Sequence, residues 1–583
     1  MTTTHRLPAV IFDELAAGRG GLSAIRLLAG GQLSTRLLRV RALLDLVQDD
    51  PGADAAAARA GWLVLSELGR EYAVEALLHP PVGAWLTRCL ARRLAAGPCD
   101  RPDGTLGHLA GVAVAAAIRA GRDVELPVLV RAGLVHLPLL GAFPVLAPDG
   151  PAALTAAAGT VTVRSAAGVA RFRLDGSGWL PLRRIRCAAA GGLEVCLDDL
   201  DPYRNVPGLE LAGRLDALAV ERWRRLLGTA WEMLAQHHPG PAAGLAAGLR
   251  SVVPLRDTRA DQGVSATSVE CFGSAAMSRP AAPEVLALGL LHEFQHSKLG
   301  ALLDLVPLYD RDCRLLFYAP WRDDPRPLGG LLQGAYAYVG VTTFWRVQRE
   351  LRTGRAARFA EFEFVRWREQ SSRAVDVLAG SGALTAAGER FVAGMAAELA
   401  GCRAEPVPAV AATAAEEANR DHWVTWRARN LTPDRHGVLA AVAAWRAGQP
   451  WPGAGPAGRP AAAGTFVPAP NPRLNLLHVR LREPHRFARL RSDAAALISD
   501  LPHATPADLA YAQGDFTAAA AGYGRALAAD AGSAHAWSGL VLAAGRGGPG
   551  DLPPELLRAV SDELARTGGP RPDPVALAAW ASG

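Results

Sequence analysis

The run Val285–Val306, VLALGLLHEFQHSKLGALLDLV, governs the reading of this chain. Its leucines and alanines recur at helical intervals, and inside it His292, Glu293 and His296 spell H-E-x-x-H. At 3.6 residues per turn, His292 and His296 share one helix face within one turn, so both imidazoles can reach a single metal ion. Glu293 sits about 100° round the helix from His292, an offset at which a carboxylate can hold a metal-bound water without being a ligand. The alternative is two histidines at the edge of a packed core.

Two ligands do not complete a site. In a zincin the glutamate of this motif is the general base of a metalloprotease. The continuation H-E-x-x-H-x-x-G-x-x-H is absent, because Leu299 and Leu302 occupy its last two positions. Other zincins take a carboxylate from a later helix, and RFAEFEFVRWREQSSRAVDVL, ending at Leu378, offers one. Glu363, flanked by Phe362 and Phe364 where an unpaired carboxylate is costly, is the first candidate. Its other reading is a glutamate paired with Arg366, three residues on along the same helix face. Gln333, Asp310 and His422 are weaker candidates, Gln333 because a neutral amide is a poor ligand and His422 because it lies far along the chain.

Outward from the motif, 583 residues imply about two to four domains. Half of them are hydrophobic, 20% are charged and the mean hydropathy is +0.10, which excludes wholesale disorder. The net charge is +6, and Lys298 is the only lysine. The arginines alternate with Asp and Glu and form no long basic run with interleaved aromatics, which argues against a nucleic-acid partner. Seven cysteines without paired spacing read as thiols of a reducing compartment. The N-terminal run has acids where a signal peptide needs an apolar core, and the apolar stretch Leu126–Leu146 contains Arg131, His136 and three prolines. The expectation is a cytoplasmic protein without a membrane span.

The pattern predicts a mostly helical, multi-domain α+β protein. Residues 1–147 read as a helical N-terminal region. At 148–210 the period changes to two, as in TVTVRSAAGVARFRL, and a small antiparallel sheet is expected. Residues 211–447 carry the HExxH helix and read as a zincin-like metal-binding domain. A Pro/Gly/Ala linker at 448–473 precedes a helical region, 474–583. There Gly514, Ala519 and Ala526, with Phe516, Tyr523, Leu527 and Trp537, resemble a tetratricopeptide repeat, in which small residues let two antiparallel helices interdigitate. Trp345, Trp367, Trp423 and Trp426 read as core aromatics. DLDPYR, Asp199–Arg204, reads as a turn, because Asp before Pro initiates one.

Several blocks in order, LEVCLDDLDPYR, SATSVECFGSAAMS, LLHEFQHSKLGALLDLVPLY, YAPWRDDPRPLGGLLQGAYAYVGVTTFWR, EFVRWREQ and DHWVTWRARNLTPD, resemble the HExxH-type peptide-modification proteins of ribosomal peptide natural-product systems. The resemblance spans about Leu193–Asn430. It implies iron(II)- and 2-oxoglutarate-dependent hydroxylation of a peptide β carbon, despite the protease-like motif. Where that family has histidine in its LLxGxYAx segment, this chain has Gln333 and Tyr338.

Under this reading His292, His296 and Glu363 hold the iron, and Glu293 orients ligands or cosubstrate. Two histidines and one carboxylate leave open positions for 2-oxoglutarate and oxygen. The far carboxylate of 2-oxoglutarate needs a fixed cation, for which Arg322 and Arg326 in WRDDPRP are candidates; their other reading is ion pairing with Asp323 and Asp324. The expected partner is a ribosomal precursor peptide, which could add to the edge of a strand in SVECFGSAAMS or find that strand internal. A further modifying enzyme could dock on the C-terminal helices. The rival functions are a zinc metallopeptidase maturing a precursor peptide and a non-catalytic peptide- or partner-binding scaffold.

Overall fold

The computed structural model describes residues 5–95, 106–189, 191–204, 206–257, 263–453, 458–460, 470–545 and 552–582. The protein is mostly helical, with two substantial sheets, and is α+β. It divides into two compact units, Met1–Leu308 and Tyr309–Gly583. The division falls inside the segment 211–447 that the sequence reading treats as one domain. No described helix is long and apolar enough to cross a membrane.

The first unit opens with helices, including Leu22–Leu46, Ala53–Glu67, Pro80–Ala95 and His108–Arg119. Seven strands follow: β1 (Val124–Arg131), β2 (Leu134–Leu137), β3 (Gly141–Pro144), β4 (Gly150–Ala157), β5 (Thr160–Ser165), β6 (Gly168–Arg173) and β7 (Leu180–Pro181). Their order is β6-β5-β4-β1-β2-β3-β7, and every neighbouring pair is antiparallel. Leu126, Val128 and Val130 of β1 alternate inward and share one core with Leu154 of β4, Val161 and Val163 of β5, and the helix His108–Arg119. The sheet therefore starts inside residues 1–147, expected to be helical. Val124–Arg131 is half-buried with period two, which is strand patterning.

A second sheet comprises β8 (Arg183–Cys187), β9 (Leu193–Leu197), β10 (Ser251–Pro254), β11 (Ser265–Ala266) and β12 (Ser274–Met277), in the order β11-β12-β10-β9-β8. β10 runs parallel to both β9 and β12, while β8 and β11 pair antiparallel. Helices Ala217–His237 and Pro239–Gly248 lie between β9 and β10 in sequence and supply the crossover that a parallel pair requires. β10 and β12 are buried along their whole length, so they carry no alternation. The strand expected in SVECFGSAAMS is thus β12, and it is internal; the edge is β11.

The second unit is built on the helices Leu328–Leu351, Gly354–Ala379, Ala386–Ala404 and Ala409–Asn430. Trp345, Trp367 and Trp426 are buried, and Trp423 is partly buried, so the four read as core aromatics are packing residues. Toward the C-terminus, Phe516–Ala529 and Ala534–Ala544 pack as a helical pair. A side chain at Gly539 would come within 2.3 Å of the Tyr523 ring, so glycine sets this approach. Ala519, Tyr523, Leu527 and Trp537 are buried between the helices, whereas Ala526 faces solvent and takes no part.

Half of the 448–473 linker, namely 454–457 and 461–469, lies outside the described residues. The helices beyond it share a core with those before it. Val424, Val438 and Val442 pack in one cluster with Tyr523, Trp537 and Leu557.

Candidate metal centre

The motif lies in the helix Pro283–Leu303, which starts with proline at its first position, where the missing N–H costs nothing. The residues between and beside the histidines each fix this helix to a neighbour. Phe294 lies on Gly248, where a Cβ would sit 2.5 Å from its ring. Gln295 Nε2 and Lys298 Nζ donate to the backbone oxygen of Gly18 at 2.9 and 3.1 Å, and Lys298 also to that of Arg19 at 2.7 Å. Burial pushes the Lys298 ammonium down to about 7. Ser297 Oγ accepts from Gly273 N at 3.1 Å.

Glu293 is 2% exposed, and both of its carboxylate oxygens are engaged. Ser265 Oγ of β11 donates to Oε1 at 2.6 Å, and Thr267 Oγ1 lies 2.7 Å from Oε2.

With those faces committed, the stripe carrying His292 and His296 is the less buried one. Their Nε2 atoms lie 3.2 Å apart, with the rings nearly perpendicular at 81°. Two nitrogens each about 2.1 Å from one ion, at octahedral to tetrahedral angles, stand about 3.0–3.4 Å apart. The pair therefore fits a shared metal ion; the same separation also suits an imidazole–imidazole hydrogen bond. Burial, and then the neighbouring His296, pushes His292 down to about 3, so its imidazole is in the neutral form that binds metals. Among the described residues of Met1–Leu308, no third histidine, cysteine or carboxylate joins this pair in a three-ligand group.

The remaining sequence candidates belong to the second unit, where each has identifiable partners. Glu363, in Gly354–Ala379, is buried; its Oε2 accepts from Trp367 Nε1 at 2.6 Å, and its Oε1 lies 3.7 Å from His478 Nε2. Burial pushes its carboxyl up, against the opposing charge of Arg366. Arg322 Nε and Arg326 Nη1 both donate to Asp324, at 2.8 and 3.1 Å, the ion pairing weighed as their alternative role. His422 Nδ1 is hydrogen-bonded to the Tyr318 hydroxyl at 2.8 Å. Asp310 closes a turn by accepting from Asp312 N at 2.9 Å. Gln333 lies in the helix Leu328–Leu351, half-buried. In the same helix, Tyr338 is packed between the rings of Trp321 and Trp367, at centroid distances of 4.8 and 4.2 Å.

One three-ligand group escapes sequence reasoning. His79, Asp198 and Asp201, all buried in the first unit, bring one ligand atom each to within 4.8 Å of one another. Asp201 does form the expected turn, accepting from Tyr203 N at 2.8 Å. His79 lies far upstream at the junction of two helices, so no local spacing connects it to the aspartates. The only available signal is the run of acids in LDDLD, unusual after a buried strand.

No protein-family model matches the chain, and no curated protein matches it.

Proposed function

We propose that the chain is an iron(II)- and 2-oxoglutarate-dependent hydroxylase acting on the β carbon of a ribosomally made peptide, with His292 and His296 as iron ligands. The observation that supports this over peptide hydrolysis is the engagement of Glu293: both its oxygens are held by hydroxyls of the segment at β11. A zinc peptidase needs that carboxylate directed at a metal-bound water. Here it ties the edge strand to the metal helix.

When bound, iron and 2-oxoglutarate supply the oxidising chemistry. The chain's own residues hold and orient. His292 and His296 present two imidazoles from one helix turn. Glu293, through Ser265 and Thr267, fixes where β11 lies relative to those imidazoles. β11 is the sheet edge, so an extended peptide pairing with it is carried past the metal helix by backbone hydrogen bonds. A mixed sheet with its antiparallel edge strand against an HExxH helix is a zincin-like arrangement adapted to oxygenation. The helical pair Phe516–Ala529 and Ala534–Ala544 is the tetratricopeptide-like element on which a second modifying enzyme docks. The reading places the protein in the cytoplasm, where precursor peptides are made.

The test is co-expression with a precursor peptide, mass spectrometry of that peptide, and metal analysis of anaerobically purified protein. A gain of one oxygen, dependent on 2-oxoglutarate and lost with His292→Ala, is expected. A chain break with zinc bound makes the protein a peptidase, and an unchanged peptide makes it a scaffold.

A further inference from the structure

The first unit contains a second cluster of metal-ligating side chains that the hydroxylase reading does not use. Asp198 follows β9, and its backbone N–H donates to Val252 O at 2.9 Å, which anchors it to the second sheet. Its Oδ1 accepts from the backbone N–H groups of Leu200 and Asp201, at 3.2 and 3.0 Å. Its Oδ2 is fully enclosed and has no hydrogen-bond partner among the described residues. His79, 2% exposed, likewise has a buried Nε2 without a partner among the described residues. The turn carrying it is pinned from behind, where Arg36 Nη1 donates to the backbone oxygens of Leu77 and His79.

A buried polar atom left unpaired carries a desolvation cost, and two such atoms on residues that bring ligand atoms together with a second carboxylate mark a place for a ligand. Neighbouring Asp199 shows the ordinary solution. It is equally buried but is matched by Arg183, Arg214 and the N–H of Leu215. Among the described residues, no arginine side chain donates a hydrogen bond to the Asp198 or Asp201 carboxylate. Arg204, whose charge acts on both, donates instead to the backbone oxygens of Asp201 and Ala212. Burial, and then the charges of Arg36, Arg184 and Arg250, favour the neutral, ligating form of His79.

We propose that His79, Asp198 and Asp201 bind one divalent first-row cation, Mn(II) or Zn(II), in a buried site. One imidazole and two carboxylates form a mixed nitrogen and oxygen donor set suited to such ions. The ion neutralises two carboxylates that burial otherwise holds toward protonation, Asp201 up to about 8. It ties the helix junction at His79 to the end of β9 and so joins the N-terminal helices to the second sheet. Three protein donors leave coordination positions for water, and the burial of all three side chains encloses the ion. The site is independent of His292 and His296.

The experiment uses the full chain carrying His292→Ala and His296→Ala, stripped with chelator, loaded separately with Mn(II) or Zn(II) and desalted. One equivalent of one of these ions is expected to remain, with a rise in unfolding temperature. Adding Asp201→Asn, or separately His79→Gln, is expected to abolish both effects while far-UV circular dichroism shows a folded chain. Absence of retained metal in the double-histidine variant overturns the site. So does a full equivalent in either added variant, since the ion then sits elsewhere. Should Asp201→Asn not fold, His79→Gln alone decides. Wild-type protein measured in parallel, with one equivalent more than the double-histidine variant, separates this site from the HExxH pair.

Discussion

Thr267 Oγ1 contacts Glu293 twice, lying 2.7 Å from Oε2 and 3.0 Å from the backbone oxygen of the same residue. One hydroxyl thus fixes both the side chain and the helix turn from which it projects. With Ser265 on the other oxygen, Glu293 becomes the joint between β11 and the metal helix. The second residue of H-E-x-x-H therefore has a structural duty that its spacing alone does not reveal.

Glu293→Gln is expected to keep metal and a measurable part of 2-oxoglutarate-dependent hydroxylation. The glutamine oxygen can accept from one hydroxyl, while its NH2 needs the other hydroxyl to turn and accept. His292→Ala and His296→Ala are each expected to abolish metal binding and turnover. A general base gives about 10²–10⁴-fold, so complete inactivity of Glu293→Gln with iron still bound would count against the holding role, and zinc-dependent cleavage by the wild type would overturn the hydroxylase. Metal analysis and turnover on the same preparations decide.

Thr267→Val with Ser265→Ala leaves Glu293 charged, buried and without these two donors. Hydrogen bonds to charged groups contribute about 1.5–3 kcal/mol, so the double variant is expected to lose at least that much stability. Peptide KM is expected to rise more than kcat falls, because β11 and not the metal is displaced. Unchanged KM with unchanged stability would remove the brace from the account.

The H-E-x-x-H helix was legible because its chemistry and its periodicity lie in one local run. The sheets were less so, for separate reasons. β1–β2 and β4–β5 are joined by Ala132-Gly133 and Ala158-Gly159, with φ of 48° and 71°, and 47° and 73°. These are two-residue hairpin turns in the left-handed region, where Asn-Gly or Asp-Gly is the recognisable signal and Ala-Gly is not. β10 and β12 are buried on both faces and offer no alternation to read. His79 and Asp198 meet only through the tertiary fold. Glu363 was singled out for a carboxylate between two phenylalanines, and its burial matches that signal, but its contact with Trp367 is an i, i+4 pair visible in the sequence and passed over.

Ending the chain after Ala447 is expected to unfold the second unit. Val424, Val438 and Val442 lose Tyr523, Trp537 and Leu557 from their shared core, and buried Asp421 loses Arg473, whose Nε donates to it at 2.8 Å. Breaking a buried ion pair by removing one partner costs about 3–5 kcal/mol, before any apolar surface is exposed. Limited proteolysis should cut the truncated chain within Tyr309–Ala447 under conditions that spare the full chain. Equal resistance would establish the residues after 447 as an appendage.

Asp508 gives the second unit an acid-sensitive centre. It accepts from Tyr523 Oη and Thr505 Oγ1, each at 2.7 Å, and lies 2.9 Å from His535 Nε2. Burial pushes its carboxyl up, but the His535 hydrogen bond and the Arg473 charge outweigh this and hold it well below the usual range. With the folded value depressed, the unfolded chain binds more protons as pH falls through about 4, so the stabilisation is present above that pH and lost below it. Asp508→Asn is expected to destabilise by about 3–5 kcal/mol at pH 7 and by less as pH approaches 3. Denaturant unfolding at a series of pH values checks this, and a loss independent of pH would show that shape, not charge, is what matters at Asp508.

Glu363 has one duty in the structure and another expected from the sequence, and substitution separates them. As the acceptor for Trp367 Nε1, it satisfies a buried indole N–H within one helix turn. Glu363→Gln keeps an oxygen for that bond, whereas Glu363→Ala leaves the indole unpaired, a cost of about 1–3 kcal/mol. Glu363→Ala is therefore expected to unfold at lower denaturant than Glu363→Gln, with Trp367 fluorescence as the local reporter. Iron content on the same two proteins tests the ligand role expected from the sequence. A ligating carboxylate requires iron to be lost in both variants, because the neutral amide is a poor ligand even where the packing is preserved. Iron at the wild-type level in Glu363→Gln, with stability lost only in Glu363→Ala, would confine Glu363 to holding Trp367 and move the search to Asp310, Gln333 and His422.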